Sequence, residues 1–553
     1  MSDEGKVFGI DLGTTYSAIA MLDDNGMPVI IRNYTDNADT IASAVYFEDG
    51  DGGKPRVGNE AKMYKADEPG NVVEFAKRYI GRENAPEYDF FAPDGVKYNP
   101  TTISALILKR IVEEAGKQGK DVKNVVITCP AYFGNSEKTA TRQAGEIAGL
   151  NVLNVVHEPT AAALSYCARE FGENRKIMVY DLGGGTFDIT LLDFSVGENE
   201  ESKVDVIRSG GDPHLGGVDW DEVLIGIMCR KYAHENELDE DEISDLAEAK
   251  IKSEAEDVKK SLSFADKKRC TISAEGDPIT RFDVTKQEFE EGCAGLVGRT
   301  IMFTRRLLDD TGFTPADVDV VLLVGGSTKM PMIENAVKEL FPGEGKVRVE
   351  DPDLAVAKGA ALAAAIKLNE IVRGGGDISG PGSVPLPPGP HIVYVDRLTR
   401  SLGPAVIVSE HGDYMIDNLL FVGDEIPACA EGVYGSYSDN APEIVVNVYE
   451  NTSEDRINKF VLPCFDAQGN PQQTDPTLHV RHIGKVHLPL PPNTPKGYKV
   501  RVVFKSSEVG LEVTAEDVAT GKQVTAVIKS DAFLSDDELS KKKNVFEGIS
   551  GLI

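Results

Sequence analysis

The chain has 553 residues, of which 41% are hydrophobic and 27% charged, and its formal net charge is −32 at pH 7. This length exceeds what one hydrophobic core can serve, so the sequence predicts two to four domains of a soluble globular protein. Such an excess of acid argues against nucleic acid and against an anionic membrane as partners. The seven cysteines form no CxxC pair and the N-terminus lacks the features of a signal peptide, which together favour free thiols in a cytoplasmic protein.

The chain up to about residue 370 alternates short strands rich in β-branched residues with longer helical patterns. We expect strands at 124–129, 176–194, 204–208 and 318–324, and helices at 101–118, 136–148, 240–263 and 354–369. This alternation is typical of α/β architecture, with sheets covered by helices. We therefore assign residues 1–373 to one α/β domain.

The composition changes after this domain. Residues 374–398 begin with a Gly- and Pro-rich run and end with the apolar-acidic segment Ile392–Asp396, which indicates a linker. Residues 399–530 contain strand patterns broken by Gly, Pro, Asn and Asp, which predict an all-β sandwich. Residues 531–553 begin close to a helix-start signal, Ser535-Asp-Asp-Glu, and have room for one short helix.

Two segments of the α/β domain share one plan. Residues 7–20 and 177–190 each hold an apolar strand, an Asp-Leu-Gly sequence that begins at Asp11 or Asp181, a turn of small and hydroxyl residues, and a second strand. Glycine lets backbone N–H groups crowd around an anion, threonine hydroxyls add donors, and a carboxylate can hold Mg²⁺ through water. Either hairpin alone is better explained as an ordinary turn. The matching pair predicts a duplicated domain that grips a nucleoside polyphosphate from both sides.

A third motif, Val321–Pro331, is an apolar strand that opens onto Gly325-Gly326-Ser327. The two glycines let the backbone lie flat against a base or sugar, and Ser327 can cap the helix that follows. By itself this motif is a common helix entry, but after the two hairpins it completes a nucleotide site. The sequence contains no Walker motif GxxxxGK[ST], which excludes a P-loop protein.

The three motifs, in this order, resemble the actin-like ATPase superfamily, whose α/β domain is a duplicated ribonuclease-H-like fold. Four further segments narrow the resemblance to the 70-kDa heat-shock chaperone family, the DnaK-like proteins: Phe75–Arg82, Pro130–Phe133, His157–Ala163 and His214–Gly217. The likeness runs from residue 6 to about 535. It implies ATP or ADP with Mg²⁺ as cofactors, K⁺ as a further candidate ion, and a peptide-binding β-domain after the ATPase domain.

The resemblance assigns a role to each matching position. Asp11 and Asp181 would hold Mg²⁺ through water, and Lys77 would place a charge against the γ-phosphate. The implied catalytic residues are Lys77, Glu158, Asp181, Thr186 and Asp188. The implied nucleotide contacts are Asp11, Gly13, Thr14, Thr15, Tyr16, Gly183, Gly184, Gly185, Gly216, Gly217, Glu256, Lys259, Lys260, Ser263, Gly325, Gly326, Ser327, Lys329 and Asp353. Without the flanking motifs, Lys77 would be read as a surface lysine, Glu158 as a helix-cap acid, and the 256–263 set as an exposed helix face.

Three departures from the family pattern carry expectations of their own. Lys260 and Lys329 stand where arginines often flank adenine, which predicts weaker gripping of the base. Asn154 replaces the arginine that meets a J-domain co-chaperone, although the linker aspartate, Asp396, is retained. This argues against stimulation by a standard J-protein and leaves a variant partner open. The chain also ends near where the family's helical lid begins, so we expect a short member without most of the lid.

The leading interpretation is an ATP-dependent chaperone that binds extended apolar segments of unfolded proteins, with a J-domain protein and a nucleotide-exchange factor as candidate partners. Tyr434, Ser436 and Ile444 fall at positions that would form its peptide channel, with the sandwich core as an equally balanced explanation. Two alternatives stay open. One is an ATP-binding member that hydrolyses weakly or not at all and docks a partner protein, and the other is a metabolite kinase on the same fold.

Overall fold

The computed structural model describes residues 6–48, 55–81, 89–93, 95–170, 173–197, 201–349, 351–373, 385–386, 391–407, 414–453, 456–459, 480–507, 510–528, 539–540 and 542–543. The first lobe of the structure contains β1 Val7–Asp11, β2 Tyr16–Leu22, β3 Pro28–Ile30, β4 Ile41–Ala42, β5 Ala44–Phe47, β6 Pro55–Val57, α1 Asn59–Met63, β7 Val72–Glu74, β8 Phe90–Phe91, β9 Lys97–Tyr98, α2 Pro100–Lys117, β10 Asn124–Cys129, α3 Asn135–Ile147, β11 Asn151–His157 and α4 Glu158–Cys167.

The second lobe contains β12 Arg175–Leu182, β13 Phe187–Val196, β14 Glu201–Asp212, α5 Gly217–Asn236, α6 Asp245–Leu262, β15 Lys267–Ile272, β16 Thr280–Thr285, α7 Lys286–Thr311, β17 Val320–Val324, α8 Pro331–Leu340, β18 Val347–Val349 and α9 Ala355–Arg373. The predicted helix at 240–263 is therefore wrong in its first turns. Residues 240–242 form a separate 3₁₀ turn, and α6 begins only after Ser244, whose hydroxyl accepts from the N–H of Ala247 at 3.1 Å.

The two lobes repeat one strand order. The first sheet runs β3–β2–β1–β10–β11, with β4 paired to β2, and the second runs β14–β13–β12–β17–β18. In each, three antiparallel strands continue into two parallel ones. The parallel strands β10 and β17 are buried along their whole length, as expected for strands covered on both faces. Because the hairpins occupy equivalent places, their turns lie at equivalent edges of the two sheets.

Helices α4 and α9 pack against each other and join the lobes. Their contact is close because Gly359 has no side chain: a Cβ atom there would lie 1.7 Å from the carbonyl oxygen of Ala161. Gly9 of β1 is equally confined, since its Cβ would lie 2.0 Å from the backbone nitrogen of Ala361. Gly359 thus allows the close approach of α9 to α4, and Gly9 allows the close approach of α9 to the first sheet.

The segment after the second lobe forms a strand, β19 His391–Val395, which extends the second sheet by pairing in parallel with β14. The next residue, Asp396, is buried between Lys138 of α3, at 2.9 Å, and the His157 side chain, at 3.4 Å. Lys138 and His157 outweigh the effect of burial and hold the pKa of Asp396 well below its usual range. Asn154 of β11 donates to the hydroxyl of Tyr394 in β19 at 3.1 Å.

The remaining strands are β20 Ser401–Ile407, β21 Tyr414–Asp417, β22 Ala428–Gly435, β23 Glu443–Asn451, β24 Ile457–Lys459, β25 Val480–Pro489, β26 Lys499–Ser507, β27 Gly510–Asp517 and β28 Gln523–Ile528. They form a five-stranded sheet, β24–β21–β20–β23–β25, and a four-stranded sheet, β22–β26–β27–β28. One apolar core lies between these sheets. Among the helices that the described residues form, none is both long and apolar enough to cross a membrane.

The three residues suggested for a peptide channel have partners within the sandwich. The Tyr434 hydroxyl donates to the carboxylate of Asp417 at 3.0 Å, and the buried Ser436 hydroxyl donates to the carbonyl of Pro495 at 3.0 Å. Ile444 packs against the sandwich core. Much of the neighbouring loop sequence, 408–413 and 460–479, lies outside the described residues.

We expect Gly359→Ala to lower the melting temperature of the protein sharply, because the added methyl group has no space against Ala161 and must force α4 and α9 apart. Gly116→Ala, near the end of α2, is the matched control, since a Cβ at that position meets nothing within 4 Å. It should be neutral or stabilise by about 0.5 kcal/mol. Thermal unfolding followed by circular dichroism distinguishes the two, and equal melting temperatures would contradict the packing argument.

Candidate functional site

The two hairpin turns face each other across one cleft. A Cβ atom on Gly184 would lie 1.6 Å from the hydroxyl oxygen of Thr15, and one on Gly185 would lie 2.5 Å from the methyl carbon of Thr14. The strand ends before these turns place Asp11 and Asp181 on the same cleft, close enough for the charge of Asp11 to contribute to the raised pKa of Asp181. The residue pairs that the sequence predicted to meet are therefore brought together.

Backbone hydrogen bonds fix the second turn to the start of α5. The N–H of Gly217 donates to the carbonyl of Gly183 at 2.9 Å, and the N–H of Val218 donates to the carbonyl of Gly184 at 2.8 Å. Gly216 lies so close that a Cβ there would come within 2.5 Å of the Gly185 backbone. The first turn is fixed in a similar way, because the N–H of Gly13 donates to the Ser17 hydroxyl at 3.1 Å.

The third motif borders the same cleft. The Ser327 hydroxyl donates to the carbonyl of Gly183 at 2.9 Å, so the motif contacts the second hairpin turn directly. Gly325 has a φ of 82°, a conformation that favours glycine. It also has no space for a side chain, because a Cβ atom there would clash with the Asp181 carboxylate. Gly326 lies against Asp353, which is ion-paired with Lys329.

Lys77 is the buried cation of the site. Its ammonium group forms an ion pair with Glu158, the first residue of α4. Both side chains are buried. Burial opposes the charged lysine, but the charges of Glu158 and Asp11 prevail and raise the pKa of Lys77 above its usual value. The site therefore keeps one positive charge among several carboxylates.

Three aspartates share this cleft with Glu158. Burial, followed by the charge of Glu158, raises the pKa of Asp11 to about 7 and that of Asp188 to about 8, and shifts Asp181 in the same direction. Asp11 accepts from the Thr128 hydroxyl at 2.9 Å, and Asp188 accepts from the N–H of Ala131 at 3.2 Å. Thr186 is buried in the same turn. Lys77 lowers the pKa values of these aspartates, but it offsets the effects of burial and of neighbouring carboxylates only in part.

The residues expected around adenosine lie where the lobes approach each other. The Tyr16 hydroxyl donates to Glu256 at 2.9 Å, and Glu256 also pairs with Lys62 of the first lobe at 2.7 Å and with Lys260 at 2.8 Å. On the same helix, Lys259 donates to the carbonyl of Gly217 at 2.8 Å, and the hydroxyl of Ser263, the C-cap, donates to the Lys259 carbonyl at 3.3 Å. Glu256 is therefore paired across the cleft and Lys259 is bonded within its own lobe, so the explanation as an exposed charged face fails for both residues.

Sequence reasoning missed three polar side chains of the site. Arg78 donates from Nε to the carbonyl of Gly185 at 2.9 Å, Thr128 bonds Asp11, and Lys62 bonds Glu256 from the opposite lobe. Arg78 was detectable, since it directly follows Lys77 in the same motif. Nothing local marks Thr128 or Lys62, because their roles depend on the pairing of β10 with β1 and on the approach of the two lobes.

The cleft fits a phosphate chain with a divalent cation. The Thr15 hydroxyl oxygen is buried and has no hydrogen-bond partner among the described residues, and the glycines opposite it let the backbones of the two turns approach closely. Excess carboxylate charge suits a cation. No set of three or more Asp, Glu, His and Cys side chains within the described ranges is arranged to hold a metal directly.

Two lobes of equal strand order, with facing Gly-Thr turns and a helix pair between them, define a two-lobed α/β protein with a duplicated sheet. A family model described as Hsp70 protein matches residues 7–373, which is more than half of the chain. The chain belongs to the Hsp70 family. Membership implies an actin-like ATPase domain with a β-sandwich, and the family in general consists of ATP-binding chaperones that use Mg²⁺.

We expect Gly184→Ala to weaken binding of ATP by at least about tenfold, because the new methyl group would overlap the Thr15 hydroxyl and separate the two turns. Gly295→Ala on α7 is the control, since its Cβ meets nothing within 4 Å. Equilibrium titration with a fluorescent ATP analogue measures both affinities. An unchanged affinity in Gly184→Ala would show that these turns do not bind the phosphates.

The aspartates also predict how stability depends on pH. Since burial and Glu158 raise the pKa of Asp188 to about 8 from 3.8, the folded protein binds more protons than the unfolded chain between these values. This contribution to stability is complete below pH 3.8 and is lost as the pH rises towards 8. We expect Asp188→Asn to flatten the fall in urea midpoint between pH 5 and 8 in nucleotide-free protein. Asp121→Asn, an exposed residue paired with Lys123, should keep the wild-type slope.

Proposed function

We propose that this protein is an ATP-dependent chaperone in which the nucleotide state of the two lobes controls peptide binding by the β-sandwich. The observation that carries the proposal is that the adjacent residues His157 and Glu158 contact different parts of the protein. Glu158 pairs with Lys77 in the cleft, and His157, its neighbour in sequence, contacts Asp396 after β19. Two consecutive residues thus contact the candidate nucleotide site and the linker aspartate, Asp396.

The chain's own residues suit the binding of MgATP. The backbone amides and hydroxyls of the two turns would hold the phosphates, and Asp11 and Asp181 would hold Mg²⁺ through water. Lys77 and Arg78 would bring positive charge to the phosphate end, where negative charge grows during hydrolysis. Bound MgATP would supply the phosphoryl group and the divalent charge that the acidic cleft lacks.

The interlobe contacts support control of nucleotide release. Tyr16, Lys62, Glu256 and Lys260 form one network that spans the mouth of the cleft. The two ammonium groups lie 4.5 and 5.1 Å from the centre of the Tyr16 ring. Such a network has to open before a nucleotide leaves, so it favours slow exchange.

The partners of this chaperone are proposed from the family, whose members in general bind unfolded peptides and co-chaperones. Asn154 adds a feature of this chain, because it is fully buried and bonded to Tyr394 of β19. A J-domain would have to bind elsewhere or displace β19. Domain boundaries after residues 373, 398 and 530 and a cytoplasmic location are parts of the same proposal.

One observation favours a second function, that of an ATP-binding member which docks a partner protein without hydrolysis. Tyr434 and Ser436 are hydrogen-bonded within the sandwich and Ile444 packs on its core, so none of these side chains is free to line a peptide channel. In that case the ATP site would stabilise a docking surface. The two functions differ in whether bound ATP turns over.

Single-turnover hydrolysis separates the two proposals. We expect wild-type protein to convert bound ATP to ADP and Lys77→Ala to do so about a hundredfold more slowly, because the transition state loses its buried cation. The affinity for ATP should fall less, by about fivefold. Lys123→Ala, an exposed lysine paired with Asp121, is the control and should match wild type. No hydrolysis by wild-type protein, with binding intact, would favour the docking function.

A further inference from the structure

The β-sandwich contacts the first lobe through a second group of residues that is separate from β19. Arg400 of the segment before β20 donates to Glu450 at 2.7 Å and lies 3.7 Å from Glu137 of α3. Arg481 of β25 donates to Glu137 at 3.1 Å. We call these four residues, Glu137, Arg400, Glu450 and Arg481, the arginine clamp. Beside it, the Thr399 hydroxyl donates to the carbonyl of Phe133 at 2.7 Å.

The clamp is largely shielded from water. The side chain of Glu450 is 0% exposed, and those of Glu137, Arg400 and Arg481 are 11%, 18% and 21% exposed. Ion pairs this far buried are screened little by salt, and removing one partner leaves a buried charge uncompensated. The carboxylate of Glu137 is also fixed from its own helix, since it accepts from the N–H of Gly134 at 3.1 Å. The clamp is therefore a fixed contact and not a mobile surface pair.

The clamp also touches the segment that carries Lys77. Besides Glu137, the guanidinium group of Arg481 donates to the carbonyl of Gly81. Gly81 has φ of 73°, and a Cβ there would lie 2.8 Å from the Cα atom of Glu137, so this peptide is pressed against the start of α3. Four residues earlier, Lys77 pairs with Glu158, and Arg78 bonds the Gly185 carbonyl. The short segment 77–81 thus has one end in the cleft and the other in the clamp.

A second connection runs through residues 131–133, just before α3. Asp188 in the cleft accepts from the N–H of Ala131, and two residues later the Phe133 carbonyl accepts from Thr399 of the sandwich segment. Neither connection uses residues of Ile392–Asp396. The sandwich is thus connected to Lys77 and to Asp188 of the cleft by two short stretches of the first lobe.

We propose that Arg481 is a positioning residue for Lys77, so that the β-sandwich, through the arginine clamp, holds the segment that brings this lysine into the nucleotide cleft. This deepens the proposed function, on which the role of Lys77 rests. Because coupling between two sites is reciprocal, loss of the clamp weakens MgATP binding, and bound MgATP strengthens docking of the sandwich. The clamp acts beside the linker and does not replace it.

Hydrogen–deuterium exchange of the full chain tests the proposal without nucleotide. In Arg481→Ala we expect exchange at residues 76–81 and 131–134 to be at least about tenfold faster than in wild type, with β17 in the second lobe unchanged. Arg481→Lys keeps the charge for Glu137 but loses the two-pronged reach to Gly81, so it should show an intermediate rate. Arg501→Ala is the control, because Arg501 pairs with Glu431 and Glu516 within the sandwich.

A double-variant comparison shows whether the effect passes through Lys77. Arg481→Ala should weaken MgATP binding severalfold in the wild-type background and cause no further loss in Lys77→Ala. Unchanged exchange at 76–81, equally faster exchange in β17, or additive losses of affinity would each overturn the proposal. If wild-type protein bound no MgATP, the proposed function would fail, while the exchange rates of the nucleotide-free variants would still decide whether the clamp holds segment 76–81.

Discussion

The structure depends on a group of buried carboxylates gathered around one lysine where two equivalent turns meet. Asp11, Glu158, Asp181 and Asp188 come from different strands and helices, and Lys77 is the single buried lysine that pairs among them in the described part of the chain. Burial without enough positive charge raises the pKa values of the aspartates, and this cost is what a bound divalent cation would remove. The same imbalance therefore limits the stability of the empty protein and favours a ligand.

The lobes and the sandwich are joined at the edges of this charged cleft. His157 and Glu158 link β19 to the cleft through consecutive residues, while Arg481 and Thr399 reach the chain segments that hold Lys77 and Asp188. Relative movement of the lobes would disturb these contacts together, because close-packed groups transmit strain to their neighbours. The proposed function needs this arrangement, since peptide and nucleotide are expected to bind far apart.

Much of the fold could be predicted from local sequence. The strand at 124–129 forms at the predicted residues, and the hairpin at 176–194 and the helices near 101–118 and 136–148 differ by a few residues at their ends. Their hydrophobic periodicity and turn residues are properties of short segments. The helix at 240–263 was predicted as one piece, but residues 240–242 form a separate 3₁₀ turn and α6 begins after its cap, Ser244. The sequence analysis assigned no role in the site to Arg78, Thr128 or Lys62, because their partners come from distant segments.

The sequence by itself determined that two Asp-Leu-Gly hairpins and a Gly-Gly-Ser strand end exist, because the turn chemistry of glycine and threonine acts over a few residues. Only the tertiary structure decided that Thr15 meets Gly184, that Lys62 reaches Glu256 and that Arg481 of the sandwich holds the carbonyl of Gly81. These pairs are separated by more than a hundred residues, and their meeting depends on strand order, on the close α4–α9 contact and on the docking of β19. Such contacts follow from the packing of whole elements, which no local pattern of residues records.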